Sequence, residues 1–180
     1  MKANILPIQS HVFRQHDRLL FDANIWLHIH GRQDPTDKRN AIYSRALRDI
    51  LQAGGMILVD VLVLSEFINR YARIEYEYYK RGTGANESFK SYRQSRQFKP
   101  VATGIANACR LILKQSTRTD SRFESADLDA VLTDYESQSA DFNDRMLTEI
   151  CKYYNLAFVT HDADFRNCGL TVLTANAKML

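Results

Sequence analysis

The chain has 180 residues, a net charge of +3, 45% hydrophobic residues and 25% charged residues, which is the composition of an ordinary globular domain with a sizeable core. No apolar run reaches the roughly 18 residues that a membrane-spanning helix needs, so no membrane partner is expected. Residues 1–16 contain a proline and several polar residues, and they are interpreted as an N-terminal leader rather than a secretion signal. The three cysteines include no CxxC pair, so the sequence predicts neither a zinc site nor disulfides and favours a cytoplasmic protein.

Apolar runs and helical patterns alternate along the chain. The runs predict strands at residues 17–22, 56–63, 156–159 and 170–173. Apolar residues at helical spacing predict helices at 41–51, at 65–80, from about Pro100 onwards and at 141–154. Repeated strand–helix units are typical of a mostly parallel sheet. No repeat or linker divides the sequence, so residues 1–180 are predicted to form a single α/β domain.

The stretch 80–99 is polar and basic. It reads KRGTGANESFKSYRQSRQFK and is predicted to be mobile. Four basic residues recur in it at three-residue steps and are predicted to hold the phosphates of a substrate: Lys90, Arg93, Arg96 and Lys99. Three aromatic residues alternate with them and are predicted to stack on unpaired bases: Phe89, Tyr92 and Phe98. In the alternative interpretation, the aromatic residues pack against the core and the basic residues are merely solvated.

Acidic residues stand at or near the predicted strand ends. Asp22 ends the first strand, and Glu66 follows the second in the first turn of its helix. Asp162 lies just beyond the 156–159 strand, and Asp144 lies in the first turn of the helix that leads into that strand. Ligands of open α/β sheets bind beyond the carboxyl ends of the strands. Each acid alone could be a cap or turn residue, but four converging carboxylates repel one another unless Mg²⁺ or Mn²⁺ neutralises them.

Four segments of the sequence, from Leu19 to about Leu173, resemble the PIN domain family: LLFDANIW, VLVLSEFINR, DFNDRMLTEICKYYNLAFVTHDADF and TVLT. The resemblance implies a three-layer α/β/α sandwich around a mostly parallel sheet, and an endoribonuclease that depends on Mg²⁺ or Mn²⁺. It implies that the metal-binding and catalytic acids are Asp22, Glu66, Asp144 and Asp162. It also implies supporting or water-positioning roles for Asn24 and Thr160, with Asp164 and Asp141 as auxiliary acids or caps.

The resemblance extends to partners. Many similar bacterial proteins are the toxin halves of toxin–antitoxin pairs, so the expected partners are an RNA substrate, a protein antitoxin that blocks the acidic groove, and a second copy in a homodimer. The span from Glu66 to Asp144 is longer than in compact toxins of this family. The added segment is interpreted as a substrate clamp, an oligomer contact or an antitoxin platform.

Two other α/β families also place acids at strand ends, but each requires a residue that this sequence lacks. A haloacid-dehalogenase-type phosphatase needs Asp-x-Asp after its first strand, where this chain has Asn24. A receiver domain needs a lysine after a late strand, and the segment VTHDADF supplies none. The remaining alternatives are a non-catalytic RNA- or protein-binding module on the same fold and a DNA-directed or structure-specific nuclease. His28 and His30 are interpreted as bystanders or substrate contacts.

Overall fold

The computed structural model describes residues 2–180, so Met1 of the predicted leader lies outside the described residues. In this part of the chain the strands are β1 (Asn4–Pro7), β2 (Arg18–Phe21), β3 (Met56–Val59), β4 (Thr117–Arg118), β5 (Ala157–Val159) and β6 (Thr171–Thr174). The helices are α1 (Ala23–His30), α2 (Lys38–Gln52), α3 (Val61–Thr83), α4 (Phe89–Gln94), α5 (Phe98–Gln115), α6 (Leu128–Glu136) and α7 (Phe142–Tyr154). Short 3₁₀ turns lie at Ile8–Ser10, Phe123–Ser125 and Ala163–Asn167.

The strands form one sheet in the order β1-β6-β5-β2-β3-β4, and every neighbouring pair is parallel. The chain crosses the sheet in one direction from β2 to β4 and in the other from β4 to β6. Because parallel crossovers are right-handed, this reversal puts α1–α5 on one face and α6 and α7 on the other. Helix contacts agree, since α1 packs on α2 and α3, α3 packs on α5, and α6 packs on α7. The three-layer fold with a parallel sheet is therefore confirmed.

The central strands are buried on both faces. Leu19, Leu20 and Phe21 of β2 are at most 1% exposed, as are Phe158 and Val159 of β5. A strand covered by helices on both sides needs apolar residues at consecutive positions, not only at alternate ones. This explains why apolar runs in the sequence predicted β2, β5 and β6 well.

The predicted strand 56–63 is half as long as expected. Strand β3 ends at Val59 because the Asp60 side chain accepts a hydrogen bond of 2.7 Å from the Leu62 N–H and so caps α3. The apolar run continues through this boundary since both elements are buried there. Helix α3 thus begins four residues before the predicted 65–80 helix, and Glu66 lies in its second turn rather than its first.

Two regions predicted as irregular contain regular structure. Asn4–Pro7, within the predicted leader, pairs with β6 at the edge of the sheet. The polar stretch 80–99 includes the last turn of α3, the whole of α4 and the start of α5. Among residues 2–180, no helix has both the length and the apolar character that crossing a membrane requires.

The aromatic residues of the 80–99 stretch pack inward. Tyr92 is 2% exposed, and its ring centroid lies 4.8 Å from that of Tyr79 and 5.3 Å from that of Phe98. Together with Phe89 and Tyr76 they form a second hydrophobic cluster between α3, α4 and α5. The prediction that Tyr92 and Phe98 stack on bases is therefore wrong, and the alternative of packing is correct for them.

Candidate active site

The direction in which the chain crosses the sheet reverses between β2 and β5: after β2 the chain continues to β3, and after β5 it continues to β6 on the other side. The segments that follow these two neighbouring strands lie on opposite faces of the sheet, so a crevice opens at the carboxyl ends of the strands. Asp22 follows β2 directly at the start of α1, and Thr160 follows β5 directly. Both side chains are buried, Asp22 at 5% exposure and Thr160 at 0%.

Two hydrogen bonds hold Asp22 in this crevice, and a third holds its partner Asn24. Its Oδ2 accepts from the Thr160 hydroxyl at 2.6 Å and from the side-chain amide of Asn24. The side-chain Oδ1 of Asn24 in turn accepts from the His161 backbone N–H at 3.1 Å. Asn24 and Thr160, predicted as supporting residues, both contact Asp22 and tie the end of β5 to the start of α1.

The acids are close enough to change each other's ionisation. Burial raises the pKa of Asp22 to about 6; the Thr160 hydrogen bond opposes the rise and the charge of Glu66 adds to it. Burial, together with the negative charges of Asp22, Asp141, Asp162 and Glu66, raises the pKa of Asp144 to about 7. The four predicted metal-binding acids therefore share one region of negative potential.

The acids differ in their other contacts. Glu66 accepts a hydrogen bond of 2.9 Å from the Arg70 guanidinium one turn later in α3. Asp162 caps the turn Ala163–Asn167 by accepting from the Asp164 N–H at 3.0 Å, while its own N–H donates to the Thr160 hydroxyl. Asp22 is thus held by neutral donors, whereas the charge of Glu66 is already partly neutralised.

The two auxiliary acids have distinct places. Asp141 is the N-cap of α7, accepting from the Asn143 N–H at 2.9 Å, and it leaves Asp144 half-buried in the first turn of that helix. Asp164 is exposed in the turn that Asp162 caps. Asp141 thereby positions Asp144, and Asp164 contributes its backbone to the position of Asp162.

The donor set suits a hard divalent cation, because all four acids offer carboxylate oxygens. In residues 2–180, no three Asp, Glu, His or Cys side chains stand close enough to enclose a single ion. Like charges without a cation between them push one another apart. The arrangement is a convergent set of acids rather than a closed cage.

Two hollows flank the acids. One, of about 520 Å³, includes Asn24 and Asp162 in its lining, and we call it the arginine cleft after Arg32, Arg39 and Arg70. The other, of about 830 Å³, is lined by the residues around α7 and the following turn, among them Asp141, Asp144, Asp164 and Arg145. Ala163 lines both hollows, so the two are adjacent, with Asp162 on one side and Asp144 on the other.

His28 and His161 line the arginine cleft and contact the buried Tyr43, in a network that sequence reasoning missed. The Tyr43 hydroxyl accepts from the Ala175 N–H at 3.0 Å and shares a hydrogen bond of 2.8 Å with His161 Nδ1. The ring of His28 lies 5.8 Å from that of His161, and burial lowers the pKa of both. The position of His161, between Thr160 and Asp162 in the sequence, was the available signal.

The predicted substrate-binding residues lie elsewhere. Lys90, Arg93, Arg96 and Lys99 are exposed. None of them is among the described residues that line the two hollows beside the acids. His30, a predicted bystander or substrate contact, bonds to the Gln115 side chain of α5 at 2.7 Å.

Comparison with known proteins gives three findings. A family model described as PIN domain matches residues 19–169, a range that contains all four acids. The crystal structure of PAE2754 from Pyrobaculum aerophilum is similar with a TM-score of 0.47 and 13% sequence identity, over 96% of this chain and 93% of that chain. No curated protein matches the chain significantly in sequence.

Proposed function

This chain belongs to the PIN domain family, which has a nuclease-type fold, and we propose that it is an endoribonuclease that uses Mg²⁺ or Mn²⁺. The observation that carries the proposal is the convergence of acids at the switch point of the sheet, where the charges of four other carboxylates raise the pKa of Asp144. So many like charges around one crevice suit a polyvalent cation.

Asp22, Glu66, Asp144 and Asp162 are the residues that would hold the ion. A divalent ion bound there supplies charge neutralisation at the phosphate and activation of a water for hydrolysis. Asp22 and Asp144 have pKa values of about 6 and 7 in the protein alone. A nearby positive charge favours their ionised forms, so binding of the ion and loss of their protons are coupled.

The surrounding residues keep the acids in position. Thr160 and Asn24 both donate to the same oxygen of Asp22, which fixes the plane of its carboxylate. Thr160 also accepts from the Asp162 N–H at 3.0 Å, so one hydroxyl connects two of the acids. Loss of an outer residue that orients a metal ligand typically costs about 10- to 100-fold in metal affinity or activity.

The exposed cations of α4 and its surroundings, Lys90, Arg93, Arg96 and Lys99, are proposed to contact phosphates farther along the RNA strand. Changing Arg93 and Arg96 together to glutamine should weaken RNA binding. It should also reduce the slope of log affinity against log salt by about 1.4, since each contact to a single strand contributes about 0.7. Titration of labelled RNA at several salt concentrations measures this. An unchanged slope would remove these residues from the interface.

Cleavage of a mixed single-stranded RNA tests the proposal directly. Purified protein is incubated with Mg²⁺ or Mn²⁺, with EDTA, and as the Asp22→Ala variant. Cleavage that needs the cation and disappears in the variant is expected. If neither cleavage nor calorimetric binding of Mg²⁺ or Mn²⁺ is seen, the protein is better described as a non-catalytic binding module. Cleavage of DNA in preference to RNA would change the substrate class.

The toxin role is a separate part of the proposal. If the chain is the toxin of a toxin–antitoxin pair, its expression should arrest bacterial growth, and Asp22→Ala should abolish that arrest. Growth that continues at equal expression of the wild-type chain would contradict the toxin role while leaving the nuclease proposal intact. An inhibitory protein partner and a homodimer belong to the same proposal.

A further inference from the structure

The arginine cleft opens directly beside the acids. Asn24 and Asp162, which both belong to the candidate active site, form part of its lining. Its volume of about 520 Å³ is enough for a small polar ligand such as one nucleotide. Anything bound there would lie next to the position at which the acids act.

Each of the three arginines in the cleft uses only one nitrogen in its ion pair. Arg39 bonds to Asp37 through Nε at 2.8 and 3.0 Å, and Arg70 bonds to Glu66 through Nη1 at 2.9 Å. Arg32 contacts Glu75 through Nη1 at 3.3 and 3.4 Å. Among residues 2–180 these pairs leave further N–H groups on every guanidinium. An arginine held in this way can still donate to an anionic oxygen.

Three acidic residues line the cleft: Asp162 belongs to the candidate active site, and the other two, Asp34 and Asp37, make local contacts. Asp34 accepts from both the N–H and the hydroxyl of Thr36, and Asp37 caps α2 by accepting from the Arg39 N–H. Their charges are therefore directed at their own loop, between α1 and α2. Hydrogen-bond donors are left to face the cleft, which suits a phosphate more than a cation.

A flat surface lies at the same cleft. Tyr78 is 44% exposed, and the guanidinium carbon of Arg32 lies 4.0 Å from the centroid of its ring. Aromatic rings and guanidinium planes are the surfaces on which unpaired RNA bases stack. Phosphate donors and a stacking surface therefore occur together within one cleft.

We propose that the arginine cleft binds one nucleotide of single-stranded RNA adjacent to the scissile phosphate, with its phosphate at Arg32 and Arg39 and its base against Tyr78. This inference rests on the proposed function, because it takes RNA as the ligand. It assigns substrate recognition to residues of the α1–α2 loop, α2 and α3, in addition to the cations of α4.

Binding of a short fluorescent single-stranded RNA, measured by anisotropy in EDTA, tests the cleft without requiring cleavage. Arg32→Gln/Arg39→Gln should weaken binding by about tenfold or more, since two charge-assisted contacts are lost. The matched control is Arg45→Gln/Arg48→Gln, which removes the same charge from exposed positions of α2 outside the cleft. It should have a much smaller effect. Equal weakening by both double variants would overturn the proposal.

The stacking part is tested at Tyr78. Tyr78→Ala should weaken binding by about fivefold or more, because base stacking on a protein ring contributes about 1–3 kcal/mol. Tyr78→Phe keeps the ring and should bind as the wild type does. If Tyr78→Phe is as weak as Tyr78→Ala, the ring does not stack on a base. Thermal unfolding of each variant checks that the fold is intact.

The outcome separates the cleft from the nuclease activity. A protein that never cleaves RNA, but binds it through Arg32 and Arg39, would retain the nucleotide cleft and lose the nuclease proposal. A protein that cleaves RNA with Mg²⁺, but whose cleft variants bind like the control, would retain the nuclease proposal and lose the cleft.

Discussion

Asp22 and Asp60 occupy equivalent positions in two neighbouring strand–helix units. Each follows one of two neighbouring parallel strands, β2 or β3, and each stands at the start of a helix. Both are buried, at 5% and 1% exposure, and burial raises the pKa of both. A carboxylate buried at the carboxyl end of a central strand is therefore found twice in this fold.

Their surroundings differ. Asp22 meets the side chains of Thr160 and Asn24 and lies in the field of Glu66. Asp60 accepts from the Leu62 N–H, while its Oδ2 has no hydrogen-bond partner among the described residues. Strand β5 is the other neighbour of β2, and the chain that follows β5 lies on the opposite face of the sheet from the chain that follows β2. The connection from β3 to β4, in contrast, runs in the same direction as the connection from β2 to β3. A strand-end acid thus joins a cluster only at the switch point.

The largest expected difference between the two acids is in catalysis. Asp22→Ala should reduce RNA cleavage by more than about 100-fold, which is the upper range for losing a residue that merely supports a metal ligand. Asp60→Asn, at the matched position after β3, should retain cleavage. Single-turnover rates with Mg²⁺ measure both. A comparable loss in the two variants would show that the switch point is not what distinguishes them.

The stability of the protein without metal should depend on pH through Asp22. Its pKa is 3.8 when unperturbed and about 6 in the fold, so between these values the unfolded chain releases a proton that the folded protein retains. Stability is therefore lost as the pH rises through this range. With about 1.4 kcal/mol for each pH unit, the loss is about 3 kcal/mol.

Urea unfolding in EDTA from about pH 4 to about pH 7, on wild type and Asp22→Asn, measures this loss. The unfolding free energy of wild type should fall relative to that of the variant, and added Mg²⁺ at neutral pH should reverse the fall. If the difference in unfolding free energy between wild type and Asp22→Asn did not change with pH, ionisation of Asp22 would not destabilise the fold. No reversal by Mg²⁺ or Mn²⁺ would argue against cation binding at these acids.

A smaller catalytic effect is expected at Thr160. Thr160→Val keeps the shape but removes the hydroxyl that donates to Asp22, so cleavage should fall by about 10- to 100-fold. Thr174, the buried last residue of β6, is the matched control, because its hydroxyl accepts from the Asn176 N–H and has no hydrogen bond to the four acids among the described residues. Both variants should lose about 1–3 kcal/mol of stability. Only Thr160→Val should slow cleavage beyond what its stability explains.

The sequence predicted the acids at the switch point because apolar runs mark the strands that these acids follow. Strands β2 and β5 contain the apolar runs LLF and AFV, β6 contains Val172 and Leu173, and Asp22 and Asp162 follow the first two of these runs. The order of these elements, together with the parallel sheet, was enough to predict that they meet at one edge. The match to residues 19–169 supports the same assignment of the family.

The elements that were missed lack such signals. Strand β1 is only partly buried and ends at Pro7, and β4 is an exposed pair of residues, Thr117–Arg118, so neither has an apolar run. The boundary at Asp60 was hidden because the residues on both sides are apolar. The contact between His161 and Tyr43 and the gathering of the cleft arginines arise from tertiary packing, which no local pattern encodes.

The smallest effect concerns Asp60 itself. Asp60→Ala removes the cap of α3 and should cost about 1 kcal/mol of unfolding free energy. Asp60→Asn keeps an oxygen that can accept from the Leu62 N–H and removes a buried charge, so at neutral pH it should be at least as stable as wild type. Urea unfolding of the two variants measures the difference. If Asp60→Ala instead lost cleavage without losing stability, the end of β3 would belong to the active site, and position at the switch point would not explain why Asp22 alone joins the other acids.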